Sequence, residues 1–219
     1  MLFTKKCNAV SDNQIALGSE ILTLNRTCVF LGIRLDDQLK FSSHIQYITS
    51  KLSKSLGILY KIRDSLPIQA RINYYYAYMY PYVTYNITSW GGTCEIHLHS
   101  LNILHKRIIK TICGNRKFDH TSPLFYKLRL LKLNDIYRYF ISVHMHGAMR
   151  SAMYSVSHQL NTRNRDRALP NFNRLKVCQQ SVSHTGPNIW NNLPSDLRNI
   201  ESISVFKNRL KKFYIEQYT

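Results

Sequence analysis

The chain has 219 residues, 44% of them hydrophobic, and its Lys+Arg 30 against Asp+Glu 12 give a net charge of +18. That apolar content supports a packed core and excludes a disordered polyelectrolyte. The charge is spread, with 13 basic against 6 acidic residues up to position 110 and 17 against 6 beyond it, so the whole chain favours polyanionic partners.

No stretch approaches the roughly 18 apolar residues that a bilayer span requires. The start carries no secretion signal. The expectation is therefore a chain without a transmembrane segment, not secreted, placed inside the cell in the nucleus or the cytoplasm. The 5 cysteines are odd in number and lack a Cys-X-X-Cys pair, which argues against a disulfide framework and a zinc ribbon.

In chain order, residues 20 to 35 predict a hairpin. Ile21 to Leu24 and Thr27 to Leu31 are apolar and β-branched, and Asn25-Arg26 can supply the turn. Gly32 within the second strand predicts a bulge or a close backbone approach. Helix signals follow. Ser43 and Gln46 have capping-box spacing, and Ile45, Ile48, Leu52, Leu56 and Leu59 form one apolar stripe, with Lys51, Lys54 and Lys61 elsewhere on the helix. Leu66-Pro67 ends this helix and starts a second, carrying Ile68, Ile72, Tyr75, Tyr76 and Met79 up to Pro81.

Gly91-Gly92 is a stop, Thr93 can cap a third helix striped by Leu101, Leu104, Ile108 and Ile112, and Gly114 sits where a C-terminal cap belongs. Lys106, Arg107 and Lys110 crowd the last turns of that helix. A short helix is predicted from Ser122-Pro123, and a longer one from an Asn134 cap through Ile136, Phe140, Ile141 and His144. Residues 155 to 170 read as a loop in which Arg163, Arg165 and Arg167 concentrate charge. From Ser202 a basic amphipathic helix is predicted, with Phe206, Leu210 and Phe213 on its apolar side.

Few catalytic arrangements are available. Neighbours on a strand point to opposite faces, which argues against Asp36-Asp37 as a metal pair. Cys94, His97, His99, His105 and Cys113 form the one metal-like cluster, but their spacing fits no common zinc pattern. The tyrosines at 74, 75, 76, 78, 80, 82 and 85 invite base stacking, against which core packing competes. No cofactor is expected in this chain.

Several blocks in order carry a resemblance. They are Met1-Leu2-Phe3, Phe30-Leu31-Gly32 with Ile33 to Phe41, Pro81 to Tyr85 leading to Trp90-Gly91, His105 to Ile109, Pro123-Leu124-Phe125, Gly186 to Pro194, and Ser204 to Lys207 with Leu210 and Lys211. Together they resemble the C-terminal part of reverse transcriptases from non-LTR retrotransposons of the jockey type. The resemblance implies a mainly α chain with a small N-terminal β-hairpin, an α+β fold in which a helical thumb-like bundle precedes a small mixed extension.

Its implied divisions are a palm remnant over 1–41, a thumb-like bundle over 42–115, a helical extension over 116–154, a loop-rich linker with short strands over 155–201 and a basic helix over 202–219. It implies a polymerase fragment lacking the paired catalytic aspartates, inactive alone, whose partners are an RNA/DNA primer-template and missing N-terminal polymerase domains. In the intact polymerase Mg²⁺ would serve the chemistry. Phe30, Leu31 and Gly32 would form a primer grip. Charge and helix placement add Lys51, Lys54, Lys106, Arg107 and Lys110 as phosphate contacts. The alternative is a domesticated stand-alone nucleic-acid-binding or adaptor module.

Overall fold

The computed structural model describes residues 15–17, 20–22, 25–114, 120–151, 168 and 174–219. Two small antiparallel hairpins come first: β1 (Ile15–Leu17) pairs with β2 (Glu20–Leu22), and β3 (Thr27–Phe30) with β4 (Ile33–Asp36). This corrects the expected pairing across Asn25-Arg26. The strand after Arg26 reverses at Leu31-Gly32, where both residues have positive φ, 47° and 77°. A two-residue hairpin loop needs left-handed backbone at both positions to match strand twist, so Gly32 serves the turn and not a bulge within a strand. The Tyr85 hydroxyl donates to the Leu31 carbonyl at 2.7 Å and holds that turn from the helical side.

Asp36 explains how the strand gives way to helix. Its carboxylate accepts from the backbone N–H groups of Gln38, Lys40 and Phe41 at 3.1, 2.9 and 2.7 Å. Leu39 and Phe41 take positive φ within this turn. α1 (Ser42–Ile62) then begins with Phe41 as its left-handed cap and no side-chain cap. The expected capping box does not form, because Ser43 lies inside the first turn; its hydroxyl is buried without a partner. The predicted stripe is real: Ile45, Ile48, Leu52 and Leu59 are buried, and Leu56 packs at the edge of the core.

After a 3₁₀ turn at Arg63–Ser65 and extended Pro67 come α2 (Ile68–Tyr78), α3 (Tyr80–Thr84), α4 (Ile87–Trp90) and α5 (Glu95–Cys113). α1 packs along α5 and over β4, and α2 lies on both α1 and α5. Gly114 ends α5 in the left-handed region, as its position predicts. Thr93 does not cap α5; Cys94 takes that position, and the Thr93 hydroxyl donates to the Lys40 carbonyl at 2.8 Å, tying the start of α5 to the Asp36 turn.

The remaining described helices are α6 (Ser122–Leu128), α7 (Leu133–Arg150), α8 (Lys176–Gln179), α9 (Val182–Asn191), α10 (Ser195–Arg198) and α11 (Ile203–Glu216). Asn134 falls inside α7, whose cap is Lys132. Arg163, Arg165 and Arg167 lie outside the described residues, as do Met1, Leu2 and Phe3. Short strands expected within 155–201 are replaced, among the described residues, by α8, α9 and α10. Gly186 and Pro187 are both buried in α9 where it packs on α7. A methyl group on Gly186 would stand 2.7 Å from the Met145 sulfur. The fold is thus mainly α with a small β part, and one cluster of buried apolar side chains runs from Ile33 to Tyr218.

Two contacts show how the later helices are held in place. Tyr218 donates to Asp135 Oδ2 at 2.5 Å and accepts from the Lys132 N–H at 3.0 Å, anchoring the chain's last turn on the start of α7. Burial and the neighbouring carboxylate both push the Tyr218 phenol well above its ordinary pKa, keeping it a donor. At the other contact, a Cβ on Gly91 would lie 2.6 Å from both the Tyr137 ring and the Ile87 carbonyl. Gly91→Ala is therefore expected to cost about 1–3 kcal/mol by overpacking. Thermal denaturation checks this, and an unchanged melting temperature would refute it.

Candidate nucleic-acid interface

The stripe that buries one face of α1 leaves another face beside the outer turns of α5, and a groove of about 1070 Å³ runs between them. Lys61, Arg63, Lys106, Arg107 and Lys110 line it, with Tyr60 and Ile103 supplying apolar wall. The cations converge because α5 buries Leu104, Ile108 and Ile112, so that Lys106 and Arg107 emerge on the opposite, exposed side. The Arg63 guanidinium lies 4.1 Å over the Tyr60 ring, a geometry that presents charge and an aromatic face together. The carboxylate of Asp64 approaches Arg63 Nε at 3.3 Å, but it is 84% exposed and so screened by water.

The expected site residues divide between two places. Lys106, Arg107 and Lys110 share the groove. Lys54 is exposed but not on the groove wall, and Lys51 sits 5.5 Å from the Tyr47 ring centroid, where Arg34 also stacks at 4.5 Å. Phe30 and Leu31 are 63% and 73% exposed at the hairpin tip, so neither contributes to the core. Gly32 borders a smaller apolar cavity of about 290 Å³ with His44, Tyr47, Ile48, Tyr82 and Tyr85. Burial first, and then the Arg34 charge, lower the pKa of His44, so the imidazole beside that cavity is neutral at neutral pH.

Sequence reasoning missed Tyr60 and Arg63 and did not give Lys61 a role. The available signal was positional: Lys61 is four residues beyond Gly57, on the same face of α1. The tyrosine run splits as helical geometry demands. Tyr75 is buried, Tyr74 and Tyr80 are half-buried, and Tyr76, Tyr78, Tyr82 and Tyr85 are exposed.

His105 and Cys113 behave as packing groups. Among the described residues no three or more His, Cys, Asp or Glu side chains converge as metal ligands. His105 is buried, its Nε2 2.9 Å from the Tyr75 hydroxyl, and burial lowers its pKa to about 4. Burial likewise pushes the Cys113 thiol up, which makes it a poor nucleophile and a poor metal ligand. Asp36 is occupied by three backbone N–H groups, which leaves it poorly suited to Mg²⁺.

Comparison with known proteins gives two matches from Drosophila melanogaster. The chain is 26% identical over 125 residues to the RNA-directed DNA polymerase from mobile element jockey, covering 55% of this chain and 14% of that protein. It is 25% identical over 109 residues to the probable RNA-directed DNA polymerase from transposon X-element, covering 48% of this chain and 12% of that protein. The matches thus span about one-seventh or less of these relatives. No family model and no solved structure matches the chain. With motif order and both matches in agreement, the chain is a relative of the jockey-like non-LTR retrotransposon polymerases.

Proposed function

We propose that this chain corresponds to the end of the palm, the thumb and the C-terminal extension of a non-LTR retrotransposon reverse transcriptase, and that it holds the primer-template duplex without synthesising DNA on its own. The observation that carries this reading is the α1/α5 groove, where five cations and an exposed tyrosine face solvent with one exposed carboxylate nearby. A duplex backbone is recognised through charge and shape, without base readout, and this wall offers both. The Leu31-Gly32 turn, bare of any side chain at Gly32, is suited to a close approach by a strand end. Chemistry in the intact polymerase would rest on Mg²⁺ held by carboxylates outside this chain.

The test is binding of an RNA–DNA hybrid followed by fluorescence anisotropy across a salt series. Affinity should fall steeply with salt and be indifferent to sequence. Replacing Lys106, Arg107 and Lys110 together by Gln should reduce the magnitude of the log K against log salt slope by about 3, roughly one for each phosphate contact removed. An unaltered slope in the triple variant would refute the groove as the binding surface.

A further inference from the structure

A second basic site lies in the extension, on elements that do not line the α1/α5 groove. The end of α7, the end of α9 and α10 enclose a pocket of about 220 Å³ bordered by His146, Arg150, Trp190, Ser195, Arg198 and Asn199. Two arginines border it, and among the described residues neither has a carboxylate partner. Arg150 is exposed and Arg198 half-buried; a half-buried guanidinium nitrogen without an acceptor is costly, and an oxyanion is the ligand that relieves it.

The hydrogen bonds sharpen this. Arg198 Nε is shut away from solvent with no acceptor. His146 Nε2 lies 2.8 Å from the Ile200 carbonyl. Arg150 Nη2 donates to the same carbonyl at 2.6 Å. Arg150 Nε lies 3.3 Å from His146 Nε2, so the Arg150 guanidinium is braced against the histidine at the pocket's edge. Arg198 thus keeps an Nε–H group with no acceptor, Arg150 adds a second guanidinium and Asn199 a neutral amide to the same wall, and the Ser195 hydroxyl there donates to Asp196 Oδ1 at 3.4 Å.

The pocket is fixed in place. His146 is 2% exposed and stacks on Phe206 with ring centroids 4.4 Å apart, and Trp190 packs edge-on to His146 at 6.2 Å. The segment Gly186 to Pro194 therefore forms one side of a rigid cradle. We infer that this pocket between α7, α9 and α10 binds a phosphate group, with Arg150 and Arg198 as its charged donors. Planar guanidinium donors match phosphate geometry better than lysine does. The site stands apart from the duplex groove and does not depend on it.

The test uses the full 219-residue chain. Isothermal calorimetry with inorganic phosphate, and separately with a short single-stranded oligonucleotide lacking terminal phosphates, is run on the wild type, Arg198→Gln, Arg198→Lys and the triple groove variant. Binding of at least one probe should weaken about tenfold or more in Arg198→Gln and less in Arg198→Lys, as loss of a charged hydrogen bond requires. It should persist in the groove triple variant, whose own defect appears with the hybrid. Loss with inorganic phosphate alone assigns the pocket to free phosphate; loss with the oligonucleotide assigns it to a strand's backbone. Circular dichroism establishes that Arg198→Gln is folded, and Arg198→Lys carries the comparison if it is not. Equal affinity of Arg198→Gln and the wild type for both probes, or binding of neither probe by the wild type, would overturn the inference.

Discussion

Trp90→Ala is expected to destabilise the protein by about 3–5 kcal/mol, a large part of the ~5–15 kcal/mol that holds a domain folded. Trp90 is fully buried, and its indole N–H donates to the Tyr85 carbonyl at 3.0 Å. Its removal opens a cavity next to His44, whose ring meets the indole edge-on at 5.8 Å, and frees the Tyr85 segment that steadies the Leu31-Gly32 turn. Trp90→Phe should recover most of the packing and lose mainly the hydrogen bond, about 1 kcal/mol. Urea denaturation at neutral pH measures both, and a loss below about 1 kcal/mol in Trp90→Ala would contradict the role assigned to it. The tryptophan of the motif that marks the resemblance is thus a structural keystone and not a nucleic-acid contact.

Acidification should weaken the fold through His105. Burial lowers its pKa to about 4 in the folded chain, against an ordinary value of 6.5. Above about pH 6.5 the ring is neutral in both states and its contribution is fully present. As pH falls through the window from 6.5 to about 4, the unfolded chain takes up the proton first, so unfolding is increasingly favoured. The full loss approaches ~3 kcal/mol near the lower limit. Replacing His105 by Leu should flatten this part of the profile. Stability measured by urea denaturation at pH 7 and pH 4.5 in both proteins checks the assignment, and an equal acid loss in the two would refute it.

Much of the helical organisation was legible before the structure. Ile45, Ile48, Leu52 and Leu59, and Leu101, Leu104, Ile108 and Ile112, recur at helical spacing and are buried as the period requires, because a helix that must hide apolar area repeats it every three to four residues. Gly114 ended α5 for the same local reason. Local signals misled where a distant partner decided the outcome. Asp36 captured the backbone donors ahead of α1, displacing the cap that Ser43 and Gln46 suggested. Thr93 gave its hydroxyl to Lys40.

The candidate site followed the same division. Lys106, Arg107 and Lys110 were visible as a cluster because they lie on one stretch of chain, whereas Lys61 and Arg63 joined them only through the packing of α1 on α5. Lys51 and Lys54 looked equivalent to Lys61 by composition and yet lie off the groove wall. The sequence by itself determined the excess of positive charge, the apolar periodicity and hence a helical protein suited to polyanions. Tertiary structure alone decided which cations share a wall, which reversal closes the hairpin, and that Arg150 and Arg198 border one pocket. Periodicity specifies which face of a helix is buried, but the partner lying across that face is chosen by contacts between residues far apart in the chain.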